Sequence, residues 1–98
     1  VNIPIKIKIK KVTYSTKVVE SLECKRGEVN FTTRTITIAK KSSAGFKYSK
    51  DERSRTMLHE IVHAVLKELK HPQYADEKLV GPLAEELASV LTQCGVRV

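Results

Sequence analysis

The sequence predicts an α+β fold, with a small antiparallel or mixed β-sheet drawn from the first forty residues and packed on two helices drawn from the rest. Three observations predict it. Apolar and polar residues alternate through Ile3, Ile5, Ile7 and Ile9, and again through Val29 and Phe31 and through Ile36 and Ile38; a period of two sends one face of a strand inward. Beyond residue 51 the period becomes helical, with Leu58, Ile61, Val62, Val65, Leu66 and Leu69 on one arc at about 100° per residue. Finally, a chain of 98 residues suffices for one hydrophobic core and not for two. A single domain over residues 1–98 is expected.

The elements follow in order, beginning with a β-rich segment over residues 1–40. Pro4, Lys6, Lys8 and Lys10 between the isoleucines mark an edge strand whose second face is solvated. Residues 12–22 fit either a short helix after Ser15 or a continuing strand, and Cys24 to Gly27 reads as a loop. The stretch EVNFTTRTITIA, residues 28–39, is a Thr-rich hairpin turning near residues 32–34. A polar loop, 41–50, carries Phe46 and Tyr48 as anchors. The first helix is expected over 51–70, with Asp51 and Glu52 at its positive end, Lys67 and Lys70 at its negative end, and His71-Pro72 closing it. The second, packed antiparallel on the first, is expected over 75–94 and is ended by Gly95. Its core stripe is read as Leu79, Val80, Leu83, Leu87, Val90 and Leu91, with Ala84 and Ala88 at the margin. Gly81-Pro82 predicts a kink or a restart there, because an interior proline costs about 3 kcal/mol and removes a hydrogen bond.

Composition narrows the classes. Hydrophobic content of 41% with 30% charged residues is that of a soluble globular chain, and no apolar run approaches the roughly 20 residues of a membrane span. No signal peptide is visible, and a cytoplasmic location is expected. Cys24 and Cys94 have no metal-binding spacing; both are expected reduced, as small buried or half-buried residues. A formal net charge of +7 attracts nucleic acid non-specifically. No phosphate loop, zinc-finger spacing or aromatic interleaving adds to it, so a nucleic-acid function is not expected beyond that attraction.

The pattern that carries chemistry is His59-Glu60-Ile61-Val62-His63. Residues i and i+4 share a helix face, so the two imidazoles can reach one ion at the roughly 2.0–2.1 Å of a Zn–N bond. Glu60, rotated away from that pair, is placed to accept the proton of a metal-activated water. Both histidines fall at the border of the apolar arc and are expected half buried. A catalytic zinc commonly takes a third protein ligand and leaves one position open. Leu66 and Leu69 stand where the HExxHxxGxxH form requires Gly and His, which excludes that form. His71 beside Pro72 reads better as a residue interacting with the helix C-terminus. On the second helix Glu85 points away from the stripe, while Asp76, Glu77 and Glu86 remain as candidates.

The succession GEVNFTTRTITI, LHEIVHAV and DEKLVGPLAEELASVL resembles small zincin metallopeptidases encoded by phages and mobile elements. These are gluzincin-like relatives of the ImmA/IrrE-type peptidases, similar in scale to the minigluzincins. The resemblance spans about residues 5–92 and implies a minimal zincin-like fold and a zinc metallopeptidase. By matching E-x-L-V-x-x-L-A it also implies Glu77 as third ligand to one catalytic Zn²⁺ held with His59 and His63. The interval from His63 to Glu77 is short for that pattern, which keeps Glu86 as the alternative. Glu60 would be the general base, and a peptide or protein substrate would dock as an added strand on the hairpin 28–39. Tyr48, Tyr74 and His71 are the side chains considered for stabilising an oxyanion. The competing readings are a zincin scaffold that binds a partner with little turnover, and a basic nucleic-acid-associated protein.

Overall fold

The computed structural model describes residues 6–96, so the expected strand start at Ile3, Pro4 and Ile5 lies outside the described residues. Four strands come first: β1 (Lys6–Ile9), β2 (Val12–Ser21), β3 (Gly27–Asn30) and β4 (Thr35–Lys41); the helices α1 (Lys50–Glu68) and α2 (Glu77–Gln93) follow. The architecture is α+β, with a mixed sheet of order β1-β2-β4-β3. β1 and β2 form one antiparallel hairpin, β3 and β4 form another, and β2 runs parallel to β4.

Residues 12–22, open between helix and strand, are resolved as the ten-residue β2. β2 is bonded on both sides, which outweighs the weak local helix signal after Ser15. Its alternation places Tyr14 inward, fully buried, opposite Ile7 of β1. The expected hairpin over 28–39 forms as β3 and β4, paired Val29 to Ile36 and Asn30 to Thr35. Asn30 Oδ1 accepts the amides of Thr32 and Thr33, each at 3.0 Å, which closes the turn.

One helix mediates between sheet and second helix. Met57 and Ala64 of α1, with Ile61 and Val65 beside them, pack on Ile9, Tyr14, Ile36 and Ile38 of the sheet. From a neighbouring side of α1, Val62 and Leu66 pack on Val80 and Ala84 of α2. Leu69, expected in this arc, is 56% exposed, because it caps the helix beyond its last turn. The Tyr14 hydroxyl donates to Glu68 Oε2 at 2.6 Å and ties the sheet to the end of α1.

The stripe expected on α2 is corrected. Val80, Ala84 and Ala88 are buried, whereas Leu83, Leu87 and Val90 are exposed. α1 is the element against which α2 makes its extensive contacts, so only one narrow line of positions is covered. Small residues at i, i+4 and i+8 let the helices approach closely along it. α2 also starts later than expected, because Asp76 is its N-cap and accepts the Lys78 amide at 2.9 Å. The helix continues from Glu77 through Pro82 to Gln93 without a restart. Both helices end as Schellman turns: His71 N–H bonds Leu66 O and Lys70 N–H bonds Lys67 O after α1, and Val96 with Gly95 does the same after α2. Lys70, at φ 60, takes the left-handed position that Gly95 fills at φ 84.

The cysteines are also corrected. Both are free, as expected, but they are exposed rather than buried, since Cys24 sits at a left-handed loop position and Cys94 caps α2. Among the described residues no helix is long and apolar enough to cross a membrane.

Candidate metal centre

α1 holds its histidines on a helix anchored at both ends. Ser49 and Glu52 form a capping box, with Ser49 Oγ accepting the Glu52 amide at 3.1 Å and Glu52 Oε1 accepting the Ser49 amide at 3.0 Å. Two turns further on, His59 and His63 lie one above the other with ring centroids 5.0 Å apart. His63 is buried more fully than expected, its side chain 7% exposed against 27% for His59. The short connection 69–76 then brings the first residue of α2 to the same place. Glu77 Oε1 lies 2.6 Å from His63 Nε2, and Glu77 Oε2 lies 2.9 Å from His59 Nε2.

The ring orientation of His63 is fixed from behind. Its Nδ1 lies 2.7 Å from the Tyr74 carbonyl oxygen, and a carbonyl only accepts. Nδ1 therefore carries a proton, and in the neutral ring Nε2 holds the lone pair that faces Glu77. An outer partner on the second nitrogen is how proteins orient metal-binding imidazoles. The donor set of His59, His63 and Glu77 has one ligand atom from each residue, all within 4.8 Å of one another. Tetrahedral zinc with bonds of 2.0–2.2 Å needs such atoms about 3.3–3.6 Å apart, so the three would fit one ion once their separations change by up to about 1.5 Å.

Glu60 is buried, 7% exposed, on the same helix. Burial pushes its carboxyl above the ordinary carboxylate range; the charges of His59 and His63 pull it down, and Glu77 and Glu28 push it up again. With His59, His63 and Glu77 it lines a cleft of about 770 Å³ between β3, α1 and α2. β3 is the end strand of the sheet, and Gly27, Glu28 and Val29 form that wall of the cleft. Arg26 and Lys25 also reach the cleft but are paired with Glu52 at 3.5 Å and Glu28 at 3.1 Å.

The other sequence candidates lie elsewhere. Asp76 is occupied as the α2 cap. Glu86 is exposed and does not line the cleft, whereas Glu85, read as pointing away from the helix interface, does. His71 Nδ1 accepts the Gln73 amide at 3.0 Å. Tyr48 lies beneath the Arg26 guanidinium, and the Tyr74 ring packs against Phe31 and Lys67; neither ring lines the cleft. The functional atom missed in the sequence is the Tyr74 carbonyl, since a backbone acceptor leaves no side-chain signature.

No family model, curated protein or solved structure matches the chain. The functional reading therefore rests on the residues themselves.

Proposed function

We propose that the chain is a zinc-dependent metallopeptidase of minimal zincin-like form. The observation that carries this reading is the convergence of both imidazole Nε2 atoms on the Glu77 carboxylate, with Glu60 buried beside them in an open cleft. The residues fit the metal: two nitrogens and one carboxylate are the donor set of hydrolytic zinc sites, and His63 has its outer partner in place. When bound there, zinc would polarise a scissile carbonyl and make water acidic enough to be a nucleophile near neutral pH.

The chain's own residues supply the rest. Glu60 takes the proton from the attacking water and passes it to the nitrogen of the leaving amine. Its buried position on the cleft wall sets the carboxylate beside the donor set, where a water held by the metal would lie. Among the described residues β3 has no strand paired on its outer edge, which runs along the cleft, and an extended peptide can lie against it as an added strand. The hydrogen bonds of that strand would hold the scissile bond near the donor set, while the cleft walls select its side chains.

Glu60→Gln tests the chemistry apart from the site. The variant should bind zinc as the wild type does and lose about 10²- to 10⁴-fold in turnover. If zinc-loaded wild type cleaves no member of a broad peptide library faster than Glu60→Gln, the peptidase reading fails and a non-catalytic binding scaffold takes its place.

A further inference from the structure

Apart from Glu28, which also lines the cleft at the sheet edge, the face of the sheet turned away from α1 takes no part in the candidate metal centre. Tyr14, Ile36 and Ile38 point toward α1, so the alternation of each strand turns Lys6 and Lys8 of β1, Lys17 of β2 and Lys41 of β4 to the opposite side. Lys10 and Lys11 form the turn between β1 and β2. None of these six makes an ion pair among the described residues. The one acid on that face of the strands is Glu28, paired with Lys25 at 3.1 Å. Across β1 and β2, Lys6 stands opposite Ser15 and Lys8 opposite Thr13, so ammonium groups and hydroxyl groups alternate.

Charge is segregated through the whole chain. Residues 6–47 hold eleven Lys and Arg against three Asp and Glu, and residues 48–96 hold six against eight. The positive charge therefore belongs to the sheet layer, which a total of +7 does not reveal. The β1–β2 turn adds an independent observation. Lys10 at φ 48 and Lys11 at φ 72 both occupy left-handed backbone, as a two-residue type I′ hairpin demands and as Asn-Gly does most easily. A non-glycine residue pays about 1–2 kcal/mol for that conformation, and strain of this kind is characteristic of functional positions.

We propose that this face binds the phosphodiester backbone of nucleic acid without regard to sequence. Lys6 and Lys8, two residues apart on one strand, are about 7 Å apart along it and give a row of point charges with hydroxyl donors between them. Such groups position a phosphate backbone but do not read bases. No aromatic residue stands on this side of the strands to stack a base. Its apolar members are the half-buried Val19 and the buried Ala39. That leaves nothing to insert into a bilayer, which favours nucleic acid over an anionic membrane. The face lies across the sheet from α1, so nucleic acid and the cleft can be engaged together.

The test is fluorescence anisotropy with two labelled 20-base-pair DNA duplexes of unrelated sequence, between 50 and 200 mM salt. If four lysines each neutralise a phosphate, affinity should fall about 150-fold over this range, equally for both duplexes. Lys6→Gln/Lys8→Gln/Lys17→Gln should reduce that salt-dependent loss to about 3- to 4-fold, with an unchanged circular dichroism spectrum as the check on folding. Lys67→Gln/Lys70→Gln/Lys78→Gln removes the same charge from the helical layer and should leave the salt dependence near wild type. Equal effects of the two triple variants would reduce the binding to net charge and overturn the proposal. So would tighter binding to vesicles containing 30% phosphatidylserine than to either duplex, or no duplex binding at 50 mM salt.

Discussion

Gly27→Ala is the substitution whose consequence the packing defines most closely. Gly27 begins β3 where the strand crosses α1 beside the cleft, and a Cβ there would meet Thr56 Cγ2 at 2.7 Å, Thr37 O at 3.1 Å and Ile38 Cδ1 at 3.2 Å. Its φ is not positive, so alanine can adopt the backbone conformation and the effect is one of space. Two terms oppose each other. Replacing glycine lowers the entropy of the unfolded chain and stabilises by about 0.4–1 kcal/mol, whereas one excess methyl in a packed interior costs about 1–3 kcal/mol. The contact at 2.7 Å is with a β-branched side chain on a helix, restricted at χ1, so the second term wins. A net loss of about 1–2 kcal/mol is expected. Urea denaturation of chelator-treated protein measures it, as a lower midpoint at unchanged slope. Thr56→Ser supplies the control: it removes Cγ2 while keeping the hydroxyl that donates to Glu52 O at 2.9 Å. In the double variant the loss should be smaller than the sum by about 1 kcal/mol, partial because the Thr37 carbonyl remains. A Gly27→Ala protein within 0.5 kcal/mol of wild type, or strict additivity with Thr56→Ser, would refute this account of how β3 is seated.

Further expectations concern the sheet, the helix interface and the turn. Burial and the Glu68 hydrogen bond push the Tyr14 phenol above its ordinary range. Its contribution is therefore intact below the unfolded pKa of about 10 and is lost as pH rises beyond it. Tyr14→Phe should cost about 1–3 kcal/mol at pH 7 and flatten the decline in thermal stability between pH 9 and 11; an equal decline in both proteins would exclude Tyr14 as its source. On α2, Val80→Ala should destabilise by about 1–3 kcal/mol. Leu83→Gln/Leu87→Gln should stay within about 0.5 kcal/mol per site, and the reverse order would mean that the other face of the helix is buried. Lys10→Asn/Lys11→Gly should raise stability by about 1–2 kcal/mol in chemical denaturation by relieving left-handed backbone, and the same variant should weaken duplex binding. Unchanged stability would show the turn to be unstrained.

The strands and helices were legible wherever a local period had one partner to satisfy. β4 and the 28–39 hairpin follow from alternation, and Asp51, Glu52 and Gly95 mark their helix ends through capping and dipole terms that act within one turn. Residues 12–22 were not, because the choice between helix and strand there is made by two non-local neighbours, β1 and β4. The α2 stripe failed for a related reason. Hydrophobicity ranks Leu83 and Leu87 above Ala84 and Ala88, but a two-helix contact selects for small size, and only the line through Val80, Ala84 and Ala88 faces α1. At the site, the spacing of His59 and His63 and the flanking Glu60 were readable from helix geometry alone. Residue periodicity left Asp76, Glu77 and Glu86 equivalent. They separate in three dimensions, because Asp76 is consumed by capping, Glu86 stays outside the cleft and Glu77 meets both imidazoles.

The central claim is that His59, His63 and Glu77 together hold zinc. An anomalous difference map at the zinc edge, from crystals of chelator-stripped protein soaked with one equivalent of zinc, tests it most directly. The account predicts a single strong peak about 2.0–2.2 Å from His59 Nε2, His63 Nε2 and a Glu77 oxygen, with the His63 Nδ1 contact to the Tyr74 carbonyl retained. A peak held by the two histidines with Glu86, or no peak between the imidazoles, would contradict it.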